Sequence, residues 1–168
     1  FAKMGAGIST VDNYYHLTAD KLRGCEFFFT TVTVTGTESM MMTATLAEGK
    51  TILSNCAMEP EIVALAEYLN SVGAKISGAG TPVITIEGVA KIGGGEFTTI
   101  ADRIEAGTFA IMAAATNSEL TISDCRPDHL ESLLAMFTKI GVPYTSTATT
   151  LTILKHGVLK ALDIKTHE

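Results

Sequence analysis

The chain has 168 residues, 46% of them apolar and 18% charged, with a net charge of −6. This composition specifies a globular chain with core material for one ordinary domain or two small ones, and it excludes a disordered one. The acidic balance argues against a nucleic-acid partner. The absence of any run of about eighteen apolar residues, or of a basic-then-apolar leader, argues against a membrane.

In chain order, Phe1–Gly5 reads as the last turn of a helix capped by Gly5. A start inside a helix predicts a piece of something longer. A short strand is expected over Glu26–Thr30, then an almost chargeless helix over Glu38–Leu46. A strand over Thr51–Ser54 precedes an amphipathic helix carrying Ile62, Leu65, Ala66, Leu69 and Val72 on one stripe. Strands over Lys75–Ser77 and Val83–Glu87 follow.

The order then restarts. A strand is expected over Glu96–Ile100 and an apolar helix over Ile104–Thr116. A strand over Leu120–Ser123 leads to a second amphipathic helix with Leu130, Leu133, Leu134, Phe137 and Ile140 on its stripe. Strands over Tyr144–Ser146 and Leu151–Leu154 close the series. Pro60 and Pro127 fall near the starts of the amphipathic helices, where a missing N–H costs nothing.

The restart is a true repeat. Gly5, Gly73 and Gly141 are spaced 68 residues apart. Gly24-Cys-Glu-Phe27 recurs as Gly94-Gly-Glu-Phe97, and Ile52-Leu-Ser-Asn-Cys56 as Thr121-Ile-Ser-Asp-Cys125. Each unit has the grammar β-α-β-α-β-β. Its first helix is apolar or small nearly all round, which predicts burial on every side. The expected class is α+β (mixed α/β), with buried parallel helices walled by outer sheets.

Two helix starts carry capping signals. Thr35-Gly-Thr-Glu38 fits a capping box with Thr35 as the cap and Glu38 reaching back, and Asp102-Arg-Ile-Glu105 fits the same pattern. Helix N-termini carry free N–H groups and partial positive charge, so units related by rotation would converge theirs on an anion-binding region. Plain capping explains the same residues without a ligand. The run Thr30–Thr37 reads either as an edge strand with wet threonines or as a ligand-facing turn. Cys25, Cys56 and Cys125 have no metal spacing and read as reduced thiols. His16, His129, His156 and His167 are scattered, so no metal site is expected.

Val32-Thr-Val-Thr-Gly-Thr-Glu38, Glu59-Pro-Glu-Ile62, Leu69–Gly78, Ile84-Thr-Ile-Glu-Gly88 and Asp102–Phe109 together resemble the UDP-N-acetylglucosamine 1-carboxyvinyltransferase family of enolpyruvyl transferases. The resemblance runs through the whole chain and is strongest from Leu22 to Ala115. It implies an inside-out α/β barrel of two lobes, with residues 1–100 in the first lobe and 101–168 in the second. It implies a cytoplasmic transferase of peptidoglycan synthesis, needing no cofactor, that moves enolpyruvyl from phosphoenolpyruvate to UDP-N-acetylglucosamine. The sibling reading is a 3-phosphoshikimate enzyme. A third reading is a non-catalytic scaffold module.

By the same resemblance the family's loop cysteine lies upstream of Phe1 and its catalytic aspartate beyond Glu168, so no catalytic residue is assigned here and none of the three cysteines is promoted. The sugar-nucleotide segment corresponds to Thr31, Val32, Thr33 and Val34, with Thr31 where some members carry Lys. Asp102, Arg103, Glu59 and Glu61 match supporting cleft positions. A piece of such an enzyme would be inactive alone and would self-associate through bared apolar faces.

Overall fold

The computed structural model describes residues 1–164; His167 and the rest of 165–168 lie outside the described residues. The chain divides after Thr99 into two compact units.

The first unit opens with a single 3₁₀ turn, Ala2–Met4, closed by Gly5 at φ 97°. Gly73 (φ 109°) and Gly141 (φ 93°) also lie in the left-handed region, so the 68-residue repeat of glycine marks three helix ends that need it. An antiparallel hairpin follows, β1 (Gly7–Val11) and β2 (Tyr14–Thr18), turned by Asp12 and Asn13 at positive φ. Both strands are exposed along their whole length.

The main sheet of this unit holds β3 (Glu26–Phe28), β4 (Lys50–Ser54), β5 (Ile76–Ser77) and β6 (Val83–Glu87) in the order β3-β4-β6-β5. β3 and β4 are parallel, joined through α1 (Val34–Thr45); the other pairings are antiparallel. A parallel pair needs such a crossover, and a helix is the usual one. α2 (Pro60–Ser71) starts with Pro60 in its first turn and buries Ile62, Ala66 and Leu69. The core gathers Met41, Leu53, Ile62, Ile84 and Ile86, all at 0% exposure.

The second unit holds α3 (Arg103–Ala115), β7 (Leu120–Ser123), a 3₁₀ turn Pro127–Leu130 running into α4 (Glu131–Ile140), β8 (Tyr144–Ser146) and β9 (Thr150–Ile153). Its sheet order is β7-β9-β8, entirely antiparallel. This reproduces the β4-β6-β5 part of the first unit. Its core packs Ala110, Leu134, Phe137, Leu151 and Ile153. No helix among the described residues is long and apolar enough to cross a membrane.

Four expectations need correction. The strand expected over Glu96–Ile100 does not form. That segment is irregular and exposed, and Phe97 stacks on Tyr68 at 5.5 Å between ring centroids. Three consecutive glycines, Gly93–Gly95, precede it and make ordering it costly. The helix expected from Glu38 begins at Val34, because Thr33 caps it two residues before Thr35. Thr33 Oγ1 accepts from Gly36 N at 3.2 Å. A Cβ at Gly36 would collide with Thr33 Cγ2, so glycine there lets the cap close. Thr30–Thr37 is therefore neither an edge strand nor a capping box.

Burial of the first helix of each unit on every side is also wrong for this chain. α1 buries Met40, Met41 and Ala44 but exposes Met42. α3 buries Ala106, Ala110, Ala113 and Ala114 on one side and exposes Ile104, Ile111 and Met112 on another, with Ile104 at 61%. Each unit covers its helix on one side only, against methionines and threonines on α1 and small alanines on α3. Finally, the hairpin β1–β2 was not expected. It occupies the place, one repeat earlier, of β5–β6 and β8–β9, and Asp12-Asn13 is a two-residue turn signal that should have found it.

Candidate functional site

The first unit presents a loop, Phe29–Thr33, where the chain leaves β3 and enters α1. It lies at the carboxyl ends of the two parallel strands, the end of an open α/β sheet where ligands collect. Of the predicted segment, Thr31 is exposed, while Val32, Thr33 and Val34 are half-buried. Val32 and Val34 pack against the core, and the Thr33 hydroxyl is committed to the cap. Thr31 and the loop backbone are what remain to meet a ligand. Free N–H groups of the first helical turn stand beside them.

The loop is held at both ends by the segment after β4. Phe29 N donates to Ser54 O at 3.0 Å, and Asn55 Nδ2 donates to Phe29 O at 2.8 Å. At the other end the Thr37 hydroxyl donates to Thr33 O at 2.8 Å and accepts from Ala57 N at 3.1 Å. Thr37 is fully buried, and its bond from Ala57 N is shielded from water. Asn55 and Thr37 escaped the sequence reading. The Asn that precedes Cys56 in the repeat was the only available signal.

Glu59 and Glu61 follow on the same segment, at the start of α2. Glu59 is the residue before the helix and makes no side-chain cap. Its Oε2 is buried and has no hydrogen-bond partner among the described residues. Glu61 lies in the first turn, where a carboxylate is favoured by the helix dipole.

In the second unit Asp102 caps α3 as expected. Its Oδ1 accepts from Ile104 N at 2.8 Å and Glu105 N at 3.0 Å. Arg103, the first helical residue, lines a shallow pocket of about 330 Å³ with Ile104, Gly107, His129 and Leu133. His129 Nδ1 is buried there without a hydrogen-bond partner among the described residues. Thr31–Val34, Glu59 and Glu61 thus fall in the first unit, and Asp102 and Arg103 in the second.

The cysteines remain unassigned. Cys56 and Cys125 are buried, and burial pushes both thiols above their usual range, which disfavours a nucleophilic thiolate. No group of three or more His, Cys, Asp or Glu among the described residues is arranged to hold a metal ion.

Comparison with known proteins gives this geometry a context. The family model described as EPSP synthase (3-phosphoshikimate 1-carboxyvinyltransferase) matches residues 1–167. The chain is 48% identical over 166 residues to UDP-N-acetylglucosamine 1-carboxyvinyltransferase of Bdellovibrio bacteriovorus, covering 99% of this chain and 40% of that protein. It is 46% identical over 168 residues to the protein of the same name from Solibacter usitatus, again covering 40% of it. The chain therefore spans about two-fifths of the length of the curated relatives it matches. Among solved structures, the enolpyruvyl transferase NikO from Streptomyces tendae matches with TM-score 0.79 at 20% identity, over 91% of this chain and 40% of that one. An EPSP synthase from Acinetobacter baumannii matches with TM-score 0.63 at 18% identity, over 96% of this chain and 39% of that one. At these identities the structural likeness carries the fold: a repeated mixed α/β architecture of the enolpyruvyl transferase kind.

Proposed function

The chain belongs to the EPSP synthase family, and from that premise we propose that it is a segment of a transferase that moves enolpyruvyl from phosphoenolpyruvate to the 3′-hydroxyl of UDP-N-acetylglucosamine, with release of phosphate. The observation that carries this reading is the 43–48% identity to relatives named UDP-N-acetylglucosamine 1-carboxyvinyltransferase, extending over 97–99% of this chain. The setting is the cytoplasm of a cell that builds peptidoglycan, at its first committed step, with consequences for cell shape and division.

Within that enzyme, residues 1–100 belong to one lobe and 101–168 to the other. Thr31 and the backbone of Val32, Thr33 and Val34 contact the sugar nucleotide. Helix N–H groups suit an anion such as a diphosphate, because they supply donors and partial positive charge without a mobile side chain. A lysine in place of Thr31 would add a point charge; with threonine the contact falls to a hydroxyl and the backbone. Glu59, Glu61, Asp102 and Arg103 border the substrates and position them. No residue of this chain performs the proton transfers, and the segment alone is inactive and self-associates.

The decisive experiment uses the full-length enzyme containing this segment. Phosphate release should require both phosphoenolpyruvate and UDP-N-acetylglucosamine. Shikimate 3-phosphate in place of the sugar nucleotide should give none. Turnover with shikimate 3-phosphate would establish the sibling activity instead, and turnover with neither would leave the scaffold reading.

A further inference from the structure

We propose that Asn55 is a positioning residue, whose side-chain amide fixes the carbonyl of Phe29 and so sets the loop that presents Thr31–Val34 to the sugar nucleotide. The proposal rests on the reading of that loop as a substrate contact.

The β3–β4 ladder ends at the pair Phe28 and Ser54. One residue further, the chain after β4 turns through Asn55 at φ 60°. That left-handed turn brings the amide back over the sheet end, where Nδ2 donates to Phe29 O at 2.8 Å. Two residues on, Ala57 N meets the Thr37 hydroxyl, which itself holds Thr33 O. The segment Asn55–Ala57 therefore grips both ends of the loop. Phe29 and Thr33 cannot separate without breaking one of these bonds.

The second unit supplies an internal control. Asp124 stands where Asn55 stands in the repeat, also left-handed at φ 54° and also followed by a buried cysteine. Asparagine and aspartate both tolerate that conformation, so the turn alone does not require an amide. An ionised carboxylate has no N–H to offer a carbonyl. The segment ahead of α3 forms no strand there and is largely exposed. The amide donor stands in the unit whose first helix is entered from a paired strand, and is absent where no strand precedes the helix.

The test uses two variants of the full-length enzyme. Asn55→Gly keeps the left-handed turn and removes the amide; Asn55→Asp keeps the shape and removes the donor. Loss of one hydrogen bond at the substrate loop should raise KM for UDP-N-acetylglucosamine about three- to tenfold, with KM for phosphoenolpyruvate and kcat changed by less than about twofold. A lower Tm with unchanged KM for the sugar nucleotide would reduce Asn55 to a structural role and overturn the proposal. Should Asn55→Gly fail to fold, Asn55→Asp decides. Amide exchange over residues 30–36 of the wild-type enzyme separates the two layers of the argument. No protection by UDP-N-acetylglucosamine would sink the substrate reading of the loop and this proposal with it. Protection in the wild type, with unaltered KM in both variants, would sink only the role of Asn55.

Discussion

Two buried threonines in the first unit should respond to the same substitution with opposite signs. Thr37 and Thr51 are both at 0% exposure. The Thr37 hydroxyl has a donor and an acceptor, at 3.1 Å and 2.8 Å. The Thr51 hydroxyl, on β4, has no partner among the described residues. Valine matches threonine in volume, so packing should be nearly conserved and the hydroxyl isolated as the variable. Thr37→Val leaves Ala57 N buried and unpaired, which costs about 1–3 kcal/mol. Thr51→Val removes a buried hydroxyl that gains nothing in the folded state, and should stabilise the unit by about 1 kcal/mol, at the low end of the penalty for burying such a group. For a unit of this size each kcal/mol moves Tm by about 4–8 °C. Thermal melts followed by circular dichroism would read both shifts. Hydrogen exchange at Leu53, Ile84 and Ile86, in the core of the same unit, would show that unit 1 is the part responding. Shifts of the same sign would refute the reasoning, because they would mean that the two hydroxyls are equally well satisfied.

Other consequences follow from the same structure. Asp102→Ala removes both side-chain bonds at the start of α3 and should destabilise the second unit by about 1 kcal/mol, with Asp102→Asn or Ser recovering most of it, as urea unfolding would show. The 168-residue chain should self-associate in sedimentation velocity runs, and Ile104→Lys with Ile111→Lys on the bare side of α3 should shift it toward monomer; a wild-type chain that is already monodisperse and monomeric would refute this. His156 should titrate above the ordinary histidine value of about 6.5, because its ring nitrogens face the carbonyls of Gly157 and Ala114 and the doubly protonated ring satisfies both. A raised folded-state value stabilises fully below the unfolded value and is lost as pH rises through the folded one. The second unit should thus lose stability as pH rises above the ordinary histidine value, and a His156→Ala chain should lack that slope. An unchanged slope in that variant would rule out the ring.

The sequence reading succeeded where a local rule has one answer. Gly5, Gly73 and Gly141 could be placed because a helix end in the left-handed region selects glycine. Asp102 could be placed because a carboxylate before an apolar helix has few other uses. β6, β7 and β8 fall on the expected residues because alternation and flanking turns agree. The reading failed where tertiary partners decide. Thr33 rather than Thr35 caps α1, with Gly36 making room for it, and the Ser/Thr-x-x-Glu pattern at Thr35 does not report how the chain arrives from β3. Apolar composition in α1 and α3 was read as burial on all sides, but composition does not say how much covering surface a unit supplies, and each unit covers its helix on one side only.

The repeat itself explains why the candidate site was only half legible. Duplicated units share their scaffold, so the shared letters report packing. Function enters where the copies diverge. Cys56 and Cys125 agree and are both buried core. Asn55 and Asp124 differ by one terminal group, and only the amide of Asn55 can donate to a carbonyl, as it does to Phe29 O beyond the end of β3. Glu59 and Asp128 both stand just ahead of the second helix of their unit, yet Asp128 is tied to Arg126 at 2.6 Å in the open while Glu59 has a buried oxygen without a partner among the described residues. A carboxylate in that second condition is costly to keep for stability alone. The first unit therefore combines a clamped loop at the start of α1 with a buried Glu59 oxygen that has no partner among the described residues, which is the combination the proposed sugar-nucleotide contact would use.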